Sequence, residues 1–69
     1  MAQVGRYENK EDGHSKFWEL RRKGSRLVAT WGKIGSSADG GGGPEKDYDE
    51  LEAAKVVREK LKKGYQLVA

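Results

Sequence analysis

Apolar and polar residues alternate with a period of two along three early stretches, and with a helical period along a fourth near the end. Val4 to Asn9 reads as a first strand anchored by Tyr7. Lys16 to Arg22 reads as a second, with Trp18, Leu20 and Arg22 on one side and Phe17, Glu19 and Arg21 on the other, because successive strand side chains point to opposite faces. Trp18 and Leu20 mark the core side. Lys23, Gly24 and Ser25 form a tight turn, with Gly24 free to take positive φ. Arg26 to Gly35, rich in aliphatic, β-branched and aromatic residues, is the third strand and the one the other elements are arranged around. Its two sides are Val28, Thr30, Gly32 and Ile34 against Leu27, Ala29, Trp31 and Lys33. Assigning the first set, with small Thr30 and Gly32, to the side covered by a helix places Trp31 and Lys33 together on an open face. The reverse assignment puts the indole in the core, where tryptophan commonly lies.

Glu45 to Tyr48 is a short fourth strand, and Asp49 opens a helix. Asp49 with Glu52 three residues on makes a capping-box pattern, and the acids Asp49, Glu50 and Glu52 suit the positive end of the helix dipole. Leu51, Ala54, Val57 and Leu61 share one helical face, with Ala53 and Val56 at its margins. The helix runs to about Lys63, and Gly64 is the expected stop. Tyr65 to Val68 then returns to the sheet edge or packs beside the helix. The pattern predicts an α+β fold: a small antiparallel β-sheet of four to five strands with one C-terminal helix packed on one face, a single domain over residues 1–69. Residues 36–43, Ser-Ser-Ala-Asp-Gly-Gly-Gly-Gly, read as a flexible connector within it, since ordering successive glycines costs much entropy. They are no phosphate loop, because no Gly-Lys-Ser/Thr and no helix follow.

Size sharpens this picture. A chain of 69 residues buries only about 60% of its unfolded surface, so its stability margin is thin. Without cysteine, no disulfide or Cys-rich zinc site can staple it. No apolar run approaches the ~18 residues of a membrane span and no leader precedes the first strand, which points to a soluble intracellular monomer without a membrane partner. His14, the only histidine, sits in a polar turn with no second histidine or cysteine, so no metal site is expected. Nor is there a nucleophile with a base, or a carboxylate pair in a plausible cleft, so no catalytic residue, no cofactor and no enzymatic activity are expected. Net charge is +3, but its distribution says more. Residues 16–35 carry a local +5, residues 44–52 a local −4, and residues 53–63 a local +4. Basic middle strands and a basic helix end are the footprint of a polyanion binder.

Four pieces occur in order: Tyr7-Glu8 in the first strand, Lys16-Phe17-Trp18-Glu19 in the second, Trp31-Gly32-Lys33-Ile34-Gly35 in the third, and Glu59-Lys60-Leu61-Lys62-Lys63-Gly64-Tyr65 at the helix end. Over nearly its whole length the chain resembles the WGR domain, a module of poly(ADP-ribose) polymerases and of stand-alone or fused bacterial proteins. The resemblance implies DNA binding, often at a strand break or a 5′ end. It implies that Trp31 packs against a terminal sugar while polar and basic neighbours hold phosphates. Trp31 and Gly32 match the motif, Lys60 matches the lysine of the helix end, and Ser15 falls where polymerase members often carry a contact-making asparagine. Lys33 replaces the motif arginine, so phosphate attraction survives but a planar bidentate fork does not.

The expected contact is therefore a sugar or base face on Trp31, a backbone approach at Gly32, and phosphates met by Lys33, Lys16 and Arg22. No helix presents Arg and Asn forks for base edges, so duplex ends or breaks are read without sequence specificity. Two alternatives use the same residues. One is RNA or a single strand stacked on Trp31 and Phe17. The other is a protein-interaction adaptor working through an open sheet face.

Overall fold

The computed structural model describes residues 3–69, the side-chain surroundings of residues 12, 41 and 42 excepted. Five strands form one antiparallel sheet: β1 (Gly5–Asn9), β2 (Lys16–Lys23), β3 (Arg26–Lys33), β4 (Glu45–Tyr48) and β5 (Gln66–Leu67), in the spatial order β4-β3-β2-β1-β5. One helix, α1 (Glu50–Lys62), lies across one face. The expected α+β architecture is the one observed, and the last residues do return to the sheet edge, where β5 pairs with β1.

The β2–β3 hairpin sets everything else. Its turn is only Gly24 and Ser25, with Gly24 at φ 62°, so Lys23 pairs with Arg26. That register places Trp18 opposite Trp31 and Leu20 opposite Ala29. Directly opposed residues share a face. Trp18 and Leu20 are buried with Tyr7, Leu27, Ala29, Ala53 and Val57 under α1. Trp31 therefore lies on the helix side, partly buried against that cluster, and Lys33 with it. This corrects the assignment of Trp31 and Lys33 to an open opposite face. The two residues do share a face, but it is the one α1 covers.

The helix itself sits in a different rotation from the one its leucines suggest. Its start is as read: the Asp49 carboxylate accepts from the Glu52 N–H at 2.8 Å. Ala53 and Val57 face the core, whereas Leu51 is 84% and Leu61 50% exposed. The volume of this core comes from the sheet, where the Tyr7 and Trp18 rings meet with centroids 5.7 Å apart. Against such bulk the helix presents its small residues, and the leucines turn outward.

The opposite face is not bare. Phe17, Val28 and Thr30 are buried there. After β3 the chain turns back at Gly35 (φ 82°) into a π-helical turn, Ala38–Gly42, against β3. Arg6 clamps it: the guanidinium makes two bonds to Asp39, at 2.6 and 3.0 Å, and a third to Glu8 at 2.7 Å, while lying 4.8 Å from the centre of the Phe17 ring. Asp39 also accepts from the Gly35 N–H at 2.9 Å. Gly32 is where this segment touches the strand. A Cβ there would lie 2.6 Å from the Ala38 Cβ, so the missing side chain makes room for the chain's own loop.

Candidate nucleic-acid interface

Beyond the core the β2–β3 pair runs on for one more residue pair, Lys16 opposite Lys33. The ladder then closes with Ile34 N–H donating to Ser15 C=O at 2.9 Å. Both lysines are exposed and, by the alternation of the strands, share the face of Trp31. Like charges directly opposite each other repel, so folding gains nothing from this pair.

The helix end supplies the third cation. Tyr65 N–H donates to Lys60 C=O at 3.1 Å and Gly64 N–H to Leu61 C=O at 3.2 Å, with Gly64 at φ 100°. This is the Schellman pattern, which closes the last turn and folds the chain back on itself. It brings the Tyr65 ring to 5.1 Å from the Lys60 ammonium. Asn9, buried beneath, donates to Lys63 C=O at 3.2 Å and accepts from Glu11 N–H at 3.1 Å. The helix end is thereby tied to the strand end.

Between them lies an open cleft of about 550 Å³. Trp31 and Tyr65 give it apolar walls, and Lys16, Lys33 and Lys60 give it charge. Lys60 is the partly buried one of the three. Burial lowers the pKa of its ammonium, and Lys63 and Lys16 lower it further, against a partial opposing pull from Glu59. Among the described residues, none of Lys16, Lys33, Lys60 and Lys63 forms an ion pair. Three crowded cations with a flat ring between them suit an anionic ligand that carries a planar or sugar face.

The structure brings Ser15, Lys16, Trp31, Gly32, Lys33 and Lys60 to this one cleft. It places Arg22 elsewhere. Arg22 lies six residues further along β2, about 20 Å away at strand spacing, and is bound to Glu50 at the start of α1. Sequence reasoning missed Tyr65. The signal was present in Gly64, since a C-terminal glycine cap returns the following residue to the last helical turn. His14 also lines the cleft. Among the described residues no cluster of His, Asp or Glu could hold a metal ion, and no helix is long and apolar enough to cross a membrane.

Comparison with known proteins bears on the fold and the family. A crystal structure of a protein from Bacteroides fragilis superposes with a TM-score of 0.74 at 23% identity, over 97% of this chain. At that identity the likeness speaks for the fold alone, and this chain spans only 20% of that protein's length. No curated protein sequence matches. The family model described as the WGR domain matches residues 5–69, from the first residue of β1 to the end of the chain. The chain therefore belongs to the WGR family, a family of nucleic-acid-binding modules of the kind found in poly(ADP-ribose) polymerase-like proteins, whose role is binding and not catalysis.

Proposed function

We propose that this domain binds DNA at duplex ends or breaks, without reading sequence, through the cleft formed by Trp31, Gly32, Ser15, Lys16, Lys33 and Lys60. The observation that carries the reading is a group of lysines without ion pairs beside an accessible indole, Glu59 only partly offsetting Lys60. Lys16 faces Lys33, and Lys60 is crowded by Lys16 and Lys63, with no acid paired to any of them among the described residues. Phosphates would relieve this repulsion, and the half-buried Trp31 ring offers a face to the last sugar or base. End preference follows from shape. An indole held between helix end and strand end meets a stacked duplex only where the stack stops. Gly32 serves indirectly, by letting Ala38 seat against β3.

The test is a salt titration of binding, read by fluorescence anisotropy, on a linear duplex and on the same duplex closed by hairpin loops at both ends. The linear form should bind more tightly. Lys16→Gln, Lys33→Gln and Lys60→Gln should each flatten the slope of log K against log salt by about 0.9. Arg22→Gln should leave the slope unchanged. Equal affinity for open and closed duplexes would remove the end preference. Absence of binding at low salt, to DNA and to the RNA duplex run beside it, would remove the whole reading.

A further inference from the structure

A second cleft, of about 330 Å³, lies against the first, and Trp31 and Lys60 are walls of both. β4 pairs with β3 only as far as Thr30, so among the described residues no strand covers Trp31 on that flank. The second cleft is lined there by Lys46 and Tyr48 of β4 and by Lys63 at the helix end, with Glu59 its one acid. Lys46 and Tyr48 stand two residues apart, opposite Ala29 and Leu27, and so share the helix side of the sheet with Trp31. The Lys46 ammonium lies 5.3 Å from the centre of the Tyr48 ring. Lys46 is exposed and forms no ion pair among the described residues.

An aromatic ring with a cation that no acid holds is the unit from which single-strand grooves are built: the ring takes a base, the ammonium takes the backbone. Two such units meet here at one partition, the Trp31 ring with the Lys60 ammonium. A duplex offers two strands to a protein only at its end, where they can part. We propose that the second cleft, Lys46 with Tyr48 and Lys63, holds a single-stranded extension of one strand while the first cleft holds the terminus of the other. The domain is then selective for extended over blunt ends, with Trp31 as the divider. The inference rests on the end-binding reading above and adds to it a second subsite and a substrate class.

The experiment compares blunt duplexes with duplexes bearing a short single-stranded extension, in each of the two polarities, by anisotropy with the full chain. One polarity should bind the wild type about five-fold or more tightly than the blunt end, the scale of one added base stacked on an aromatic. Lys46→Gln should bring that ratio toward one. Lys16→Gln should weaken binding to both ends and leave the ratio as in the wild type. A wild type with no preference for either polarity overturns the second subsite while leaving end binding in place. So does a Lys46→Gln chain whose ratio is unchanged. A wild type that binds no duplex overturns both.

Discussion

Replacing Trp31 by alanine removes the flat face that the proposed contact needs, and it also removes part of the core. A buried tryptophan cut to alanine costs about 3–5 kcal/mol. Trp31 is only partly buried, packed against the core cluster and open to the cleft on its other side, so about half of that, ~2 kcal/mol, is the stability loss to expect. A domain of this size holds about 3–5 kcal/mol in all. At least ~1 kcal/mol then remains, which keeps roughly five in six molecules folded. Unfolding of that extent lowers apparent affinity by well under two-fold. Loss of an aromatic stacking partner is worth about 1–3 kcal/mol, or roughly 5- to 150-fold. The two effects are therefore separable when both are measured. Urea unfolding followed by circular dichroism gives the first, and anisotropy with an open duplex gives the second. Trp31→Phe should restore most of the stability and part of the affinity. A folded Trp31→Ala domain that binds within two-fold of the parent would show that the ring is no contact. A chain that fails to fold would show that the indole belongs to the core more fully than its open flank implies.

Two other outcomes follow from local contacts. Asp49→Ala removes the side chain that accepts from Glu52 N–H; it should cost about 1 kcal/mol, a fall in Tm of roughly 4–8 °C for so small a domain. The Asp39 carboxyl is held at about 2, below its ordinary 3.8, first by hydrogen bonding from Arg6 and then by the Gly35 N–H. Because the folded value is the lower one, this carboxylate contributes stability above pH 3.8 that disappears as pH falls toward 2. Asp39→Asn should therefore have a lower urea midpoint than the wild type at neutral pH and should converge with it in acid. Curves that already coincide at neutral pH would show that the Asp39 carboxylate adds nothing to folding.

Most of the fold can be read in the residues because its signals are local. Asp49 with Glu52 marks the helix start, Gly64 its end, and alternation marks the strands. Small Thr30 and Gly32 point to the wrong face for Trp31, and the length of the turn decides the matter. A three-residue turn of Lys23, Gly24 and Ser25 would pair Arg22 with Arg26, and then Trp18 with Thr30, which puts Val28 and Thr30 on the core side. The actual two-residue turn pairs Lys23 with Arg26 and Trp18 with Trp31. A slip of one residue moves every side chain of a strand to the other face. Two-residue loops are the commonest hairpins, so the register was recoverable from Gly24 and Ser25 alone. The rotation of α1 was not. Leu51 and Leu61 give the stronger apolar stripe, and only the bulk of the Tyr7 and Trp18 rings beneath explains why Ala53 and Val57 face inward. Likewise nothing in a run of glycines announces that Asp39 will reach Arg6 and that Ala38 will fill the space above Gly32.

The correction to Trp31 alters what makes the site. An indole on an open sheet face would be one exposed ring on a flat surface. An indole at the rim of the core is packed against the buried cluster on one side and lines the cleft on the other, so part of its ordering is supplied by the fold. Such pre-organisation reduces the ordering cost of binding. The charges follow a similar logic. Arg6, Arg21 and Arg22 each pair with an acid from a distant part of the chain: Asp39, Glu45 and Glu50. Acids are thus available to this fold and are placed against cations where stability is served. At the end of β2 and β3 the same chain sets Lys16 opposite Lys33 and crowds Lys60 with Lys63, without an ion pair among the described residues. In a domain with so small a reserve, repulsion concentrated at one end works against folding. The proposed anionic partner, meeting all of these groups at once, would offset that repulsion.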